Sequence, residues 1–156
     1  MDEPGAAQAA YRSRAEAREV IERTFERIED DLSLGPHLHA SGLRERLRLS
    51  DLDLTVEVAA GSGDHFLEWS FDGRSPFEPR LSLTMDSTVA NSVLQNAESI
   101  GVAIARGRIE VSGEAGAALV HLPAMRLIGA EYAGLIATDY PHLVIEHPSP
   151  TGSSPT

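Results

Sequence analysis

The chain has 156 residues, enough for one domain around one core, with 13 basic side chains, all arginine, against 24 acidic ones, for a net charge of −11. The absence of cysteine excludes disulfides, thiolate nucleophiles and zinc sites built on sulfur, and the absence of lysine excludes Schiff-base and P-loop chemistry. So acidic a field repels a phosphate backbone, which makes nucleic acid an unexpected partner. The densest basic cluster, Arg44, Arg46 and Arg48, reads as a solvated edge.

The chain opens on the acidic Met1-Asp2-Glu3-Pro4 with no apolar leader after it, and no run approaches the ~18 apolar residues of a membrane span. It ends on Ser154-Pro155-Thr156, which is not a peroxisomal address. A cytoplasmic location is the default expectation.

Residues 5–32 read as an amphipathic helix. Ile21, Phe25, Ile28 and Leu32 fall on one stripe, arginine and glutamate fill the other positions, and Gly35-Pro36 is its stop signal. Residues 37–50 fit neither period, because Leu43 and Leu47 suit a helix whereas Leu47 and Leu49 suit a strand, and they read as a connector. From Leu52 the period becomes two: Leu52, Leu54, Val56 and Val58 alternate with polar residues, a Gly-rich turn follows at 60–64, and Leu67, Trp69 and Phe71 alternate on the next strand. Leu81, Leu83 and Met85 mark a third strand. One dry and one wet face on each strand indicate an antiparallel sheet covered on one side.

Asp86-Ser87 offers an N-cap to a helix over 88–96, with Val89 and Val93 on its stripe. A short helix spans Ile100 to Ala105 and Gly107 ends it. A fourth strand over 108–112 points Ile109 and Val111 inward, and a long helical segment covers 115–137. Pro123 is expected to kink or restart that segment, since it lacks an N–H and clashes with the preceding turn. The Pro/Ser/Thr-rich tail from His147 is expected to be disordered.

Two strings in this order carry a family resemblance. Arg80-Leu81-Ser82-Leu83-Thr84-Met85-Asp86 resembles the third strand and capped helix start of the sterol carrier protein 2 (SCP-2) family. Ala103-Ile104-Ala105-Arg106-Gly107-Arg108-Ile109-Glu110-Val111-Ser112-Gly113-Glu114 is similar to that family's helix end, strand and entry to the last helix. The local physics agrees: Gly107 suits a left-handed C-cap, Gly113 a sharp strand-to-helix turn, and Glu114 a helix N-terminus. Arg108 stands where the family carries lysine, and Pro123 interrupts a helix that the family keeps continuous.

The resemblance implies an α+β, SCP-2-like fold, with a mostly antiparallel four- to five-stranded sheet and helices packed on one face. Its division would be 1–36 as an N-terminal helix packing on the domain, 37–146 as the domain, with 51–128 its best-matched core, and 147–156 as the tail. It further implies non-enzymatic binding, and transfer, of a hydrophobic ligand such as a sterol, fatty acid or acyl-CoA in an apolar tunnel. Leu67, Trp69, Phe71, Leu83, Met85, Val93, Leu94, Ile104, Leu119 and Leu122 are the candidate lining, although each equally suits an ordinary core. Tyr140, in a turn after the last helix, is a residue that could close such a pocket.

No nucleophile elbow, paired catalytic carboxylates or dinucleotide fingerprint is present, so no catalytic residue and no cofactor is assigned. His37 and His39 would share one face of a strand, but no further ligand stands at a metal-site spacing and no metal is expected. Two alternatives stand beside ligand binding. One is a protein–protein or homodimerisation module that uses the N-terminal helix and the Ala/Gly-rich 129–137; the other is a small enzyme acting on a lipophilic metabolite.

Overall fold

The computed structural model describes residues 9–73, 78–113 and 117–146, with the backbone alone over 117–121. The tail from His147 and Glu114 therefore lie outside the described residues, as does the side chain of Leu119.

Helix α1 (Arg14–Glu29) opens on Ser13, whose Oγ accepts the Glu16 N–H at 3.0 Å, while the Glu16 carboxylate takes the Arg12 N–H at 2.8 Å. Ser13 thus caps the helix, and Glu16 anchors the residue that precedes the cap. Ala17, Val20, Ile21, Phe25 and Ile28 form its buried stripe. Leu32, placed on that stripe by spacing, is 80% exposed. The helix has already ended, because the Asp31 carboxylate draws the Ser33 and Leu34 N–H groups into a turn. Gly35-Pro36 is a start rather than a stop. It opens α2 (Gly35–Ala40), where the missing proline N–H costs nothing in a first turn.

The segment read as a connector contains the central strand. β1 (Arg44–Leu49) lies between β2 (Leu54–Ala60), antiparallel, and β4 (Leu81–Met85), parallel. β3 (Leu67–Phe71) pairs with β2 and β5 (Ile109–Gly113) with β4, both antiparallel, so the sheet has five strands in the order β3-β2-β1-β4-β5. β1 was hidden because Glu45 interrupts its dry row and three arginines fill its wet one. Arg46 reaches across to Glu57 at 2.6 Å, a carboxylate with no exposed surface, and this pairing lets both charges sit on a middle strand. Leu52 leaves the strand and lies in a 3-10 turn, Ser50–Leu52.

Leu49, Leu54, Val56, Phe71, Leu83, Met85 and Ile109 line the dry face and are buried. Val111, expected inward, is 40% exposed, although Ile109 on the same face of the edge strand β5 is buried. After β4 come α3 (Ser87–Leu94) and α4 (Ile100–Ala105), then β5 and the long α5 (Ala117–Asp139). α5 packs against both α1 and α3, with Ile128, Tyr132, Leu135 and Ile136 buried. It runs through Pro123 without a restart; the proline is exposed, where a carbonyl that loses its N–H partner can take water. The architecture is α+β, with helices on one face of a mostly antiparallel sheet.

α1 is tied to the sheet edge by polar contacts as well as by its stripe. The Glu29 carboxylate accepts the N–H groups of Phe66 and Leu67 at 3.1 and 2.9 Å, and Glu22 accepts the Trp69 indole N–H at 3.2 Å.

Candidate functional site

The site is built where α3 ends. The Gln95, Asn96 and Ala97 N–H groups turn back onto the last carbonyls of α3, with Asn96 in the left-handed region at φ 63°. Ala97 N–H to Ser92 O (2.9 Å) and Asn96 N–H to Val93 O (3.1 Å) make the bond pair of a Schellman stop, a position that asparagine tolerates. Ser99 then caps α4, its Oγ accepting the Val102 N–H at 3.3 Å.

Facing this turn, α5 presents Leu122, Met125, Arg126, Gly129, Ala130 and Ala133, a stripe at helical spacing. Between them lies a cleft of about 490 Å³, its other wall formed by Val93, Leu94 and Ile100 with Gln95, Asn96, Glu98 and Ser99. Gly129 sets how closely the walls meet: a Cβ there would lie 2.5 Å from the Leu94 carbonyl oxygen.

Polar groups back this wall. Gln95 Nε2 donates to Asn91 Oδ1 (2.9 Å) and to the Leu143 carbonyl (2.6 Å), while its Oε1 accepts the Ile145 N–H (2.9 Å). Asn91, fully buried, accepts the Tyr132 hydroxyl at 2.6 Å and donates to the same Leu143 carbonyl at 2.9 Å. The Tyr132 and Tyr11 hydroxyls are hydrogen-bonded to each other. Burial pushes both phenols well above the ordinary tyrosine range. The chain segments beyond α1 and α5 are thus tied to the helix that forms the cleft.

Of the candidate lining residues, Val93, Leu94 and Leu122 meet at this cleft. Leu67, Phe71, Leu83 and Met85 lie in the core, and Ile104 packs against it partly buried. Trp69 sits under α1 with its ring 5.4 Å from that of Phe25. Leu119 lies where side chains are outside the described residues. Tyr140 is buried away from the cleft, its hydroxyl donating to Glu19 at 2.7 Å.

Sequence reasoning missed Met125, Arg126, Gly129, Ala130 and Ala133 as one face, although their spacing is a visible helical stripe. Nothing in that spacing says that the stripe is left partly uncovered. His37 and His39 fall on a helix rather than a strand, which turns them to different sides, and His39 Nε2 bonds the Gly61 carbonyl at 2.9 Å.

No protein-family model and no curated protein sequence matches the chain. Solved structures do. The second sterol carrier protein domain of Helicoverpa armigera is 14% identical, with 72% of this chain and 87% of that one covered and a TM-score of 0.53. A conserved Thermus thermophilus protein is 15% identical over 75% of this chain and 86% of its own, TM-score 0.51. The UbiJ-SCP2 ubiquinone synthesis protein is 10% identical over 74% of this chain and 90% of its own, TM-score 0.50. The fold is therefore that of sterol carrier protein 2, as the two strings implied. Among the described residues no helix is long and apolar enough to cross a membrane.

Proposed function

We propose that this protein binds a hydrophobic small molecule, of the class of sterols, fatty acids or acyl-CoA esters, in the cleft between α3, α4 and α5, and transfers it without making or breaking a bond. The cleft carries this reading. Its volume of about 490 Å³ falls in the range of ~300–1,000 Å³ in which small-molecule sites lie, and its walls combine Val93, Leu94, Ile100, Leu122 and Met125 with a few polar groups. Burial of a ligand's apolar surface, worth ~25 cal/mol per Å² before entropic costs, supplies the driving force. The SCP-2 fold and the sterol carrier name of one structural neighbour support the same reading.

The dimerisation reading rests on the N-terminal helix and the small residues of 129–137; α1 lays its apolar stripe on its own chain. Gly129 is already occupied by Leu94 of its own chain, whereas Ala130 and Gly134 are exposed, with only the end of Arg27 near Gly134.

Displacement of a fluorescent fatty acid or sterol analogue tests the proposal. Ala130→Trp fills the cleft from an exposed position on α5 and should weaken uptake more than about tenfold while leaving the melting temperature close to that of the parent chain. No uptake by the parent chain, with a dimeric mass in solution, would favour the interaction module instead.

A further inference from the structure

Two charged side chains line the cleft, Glu98 and Arg126, and they are not equivalent. Glu98 is largely buried and pairs through one oxygen with Arg108 at 2.7 Å, which offsets its charge within the wall although its other oxygen is buried without a hydrogen-bond partner. Arg126 stands exposed on α5 and, among the described residues, has neither a carboxylate nor a hydrogen-bond partner. That sets it apart from Arg14, Arg23, Arg27, Arg46 and Arg48, each of which holds an acidic side chain. In a chain of net charge −11, the uncompensated charge in the lining of this cleft is positive.

We infer that Arg126 is the head-group residue of the cleft and selects an amphiphile with a single anionic head, a carboxylate or a phosphomonoester, over an uncharged one with the same apolar body. The inference rests on the proposed function and adds to it the chemical class of the ligand's polar end. The geometry provides both halves of such a molecule with a place. Leu122 and Met125 beside Arg126, and Val93, Leu94 and Ile100 opposite, take the apolar body, while the guanidinium remains at the solvent side, where an anionic head keeps its hydration. A planar guanidinium offers two parallel N–H donors to a carboxylate or phosphate, which an ammonium cannot. An uncharged ester or alcohol gains the apolar contacts alone.

The test measures affinities of dodecanoate, dodecyl phosphate and dodecanol for the full chain, for Arg126→Gln and for Arg126→Lys. The parent chain should bind one or both anions about three- to fivefold more tightly than dodecanol, the upper margin of a solvent-exposed ion pair. Preference for one anion over the other identifies the head group as carboxylate or phosphate. Arg126→Gln should bring the affinities for the anions down to that for dodecanol in the same variant, and Arg126→Lys should keep part of the preference. Equal binding of all probes to the parent chain, or a preference that survives in Arg126→Gln, overturns the assignment while the hydrophobic site stands. Failure of the parent chain to bind any of them, dodecanol included, overturns the proposed function and this inference together.

Discussion

Gly129 and Gly134 stand on the same helix and would answer the same substitution in opposite ways. A Cβ at Gly129 would meet the Leu94 carbonyl oxygen at 2.5 Å, and a backbone atom cannot rotate aside. A Cβ at Gly134 would meet only the end of Arg27, at 3.9 Å. Alanine improves helix propensity at either site by ~1 kcal/mol. At Gly129 that gain is outweighed by an overpacking cost of ~1–3 kcal/mol, which parts α3 from α5. Gly129→Ala should therefore lower the urea midpoint and weaken binding of an apolar probe, whereas Gly134→Ala should raise the midpoint by the equivalent of about 0.5–1 kcal/mol and leave binding unchanged. Neither sign can be read from the string Gly129-Ala130-Glu131-Tyr132-Ala133-Gly134, in which both glycines look alike.

The α3 helix shows how far an element's own sequence defines its ends. Asp86 occupies the N-cap position, as its place before Ser87 suggests, but its side chain makes no capping bond. The cap comes from Asp51, which accepts the Ser87 N–H and the Ser87 hydroxyl, both at 2.7 Å, from the turn that follows β1. Asp51→Ala should cost about 1–2 kcal/mol, in the upper range for loss of an N-cap, while Asp86→Ala stays within about 0.5 kcal/mol. Chemical denaturation of the two variants checks this, and the reverse order would contradict the assignment. The end of α4, by contrast, was legible. Gly107 at φ 77° and the bonds from Gly107 N–H to Ile104 O (3.0 Å) and Arg108 N–H to Ala103 O (2.9 Å) form the C-cap that its glycine indicated. A cap made by neighbours in sequence can be read from sequence, and one lent by another element cannot.

Across the whole molecule, the 3 tyrosines join the segments outside the sheet to its helical cover. Tyr11 and Tyr132 meet behind the cleft, and Tyr140 is held between Glu19 and Arg23. Burial raises all of these phenols above the ordinary value of 10.0, aided at Tyr140 by Glu19 and opposed by Arg23. A raised folded-state value means that stability is intact below the unfolded phenol's range. Above it the unfolded chain holds fewer protons than the folded one, so stability falls as pH rises. Phenolate absorbance at 295 nm should therefore appear in one cooperative step together with loss of far-ultraviolet circular dichroism. A gradual titration near pH 10 in a chain that keeps its helices would show that the tyrosines are not buried.

The SCP-2 fold was recognisable from backbone-driven signals: period-two strands, a glycine C-cap at Gly107, and a glycine at Gly113 whose φ of 123° and close approach to the Arg80 carbonyl no larger residue would accept. These signals are local, and local geometry is encoded by adjacent residues. The central strand β1 was lost because Glu45 breaks its dry row and its wet row is all arginine, one of which, Arg46, finds its partner Glu57 only across the sheet. The cleft was half visible. Val93, Leu94 and Leu122 were marked as apolar, but so were Leu67, Phe71, Leu83 and Met85, which fill the core. Hydrophobicity specifies that a side chain leaves water, not whether protein or ligand covers it. That distinction, and the place of exposed Arg126 in the lining of the cleft, arises only when α3 and α5 are brought together, because a cavity is a property of the gap between elements and is written in none of them.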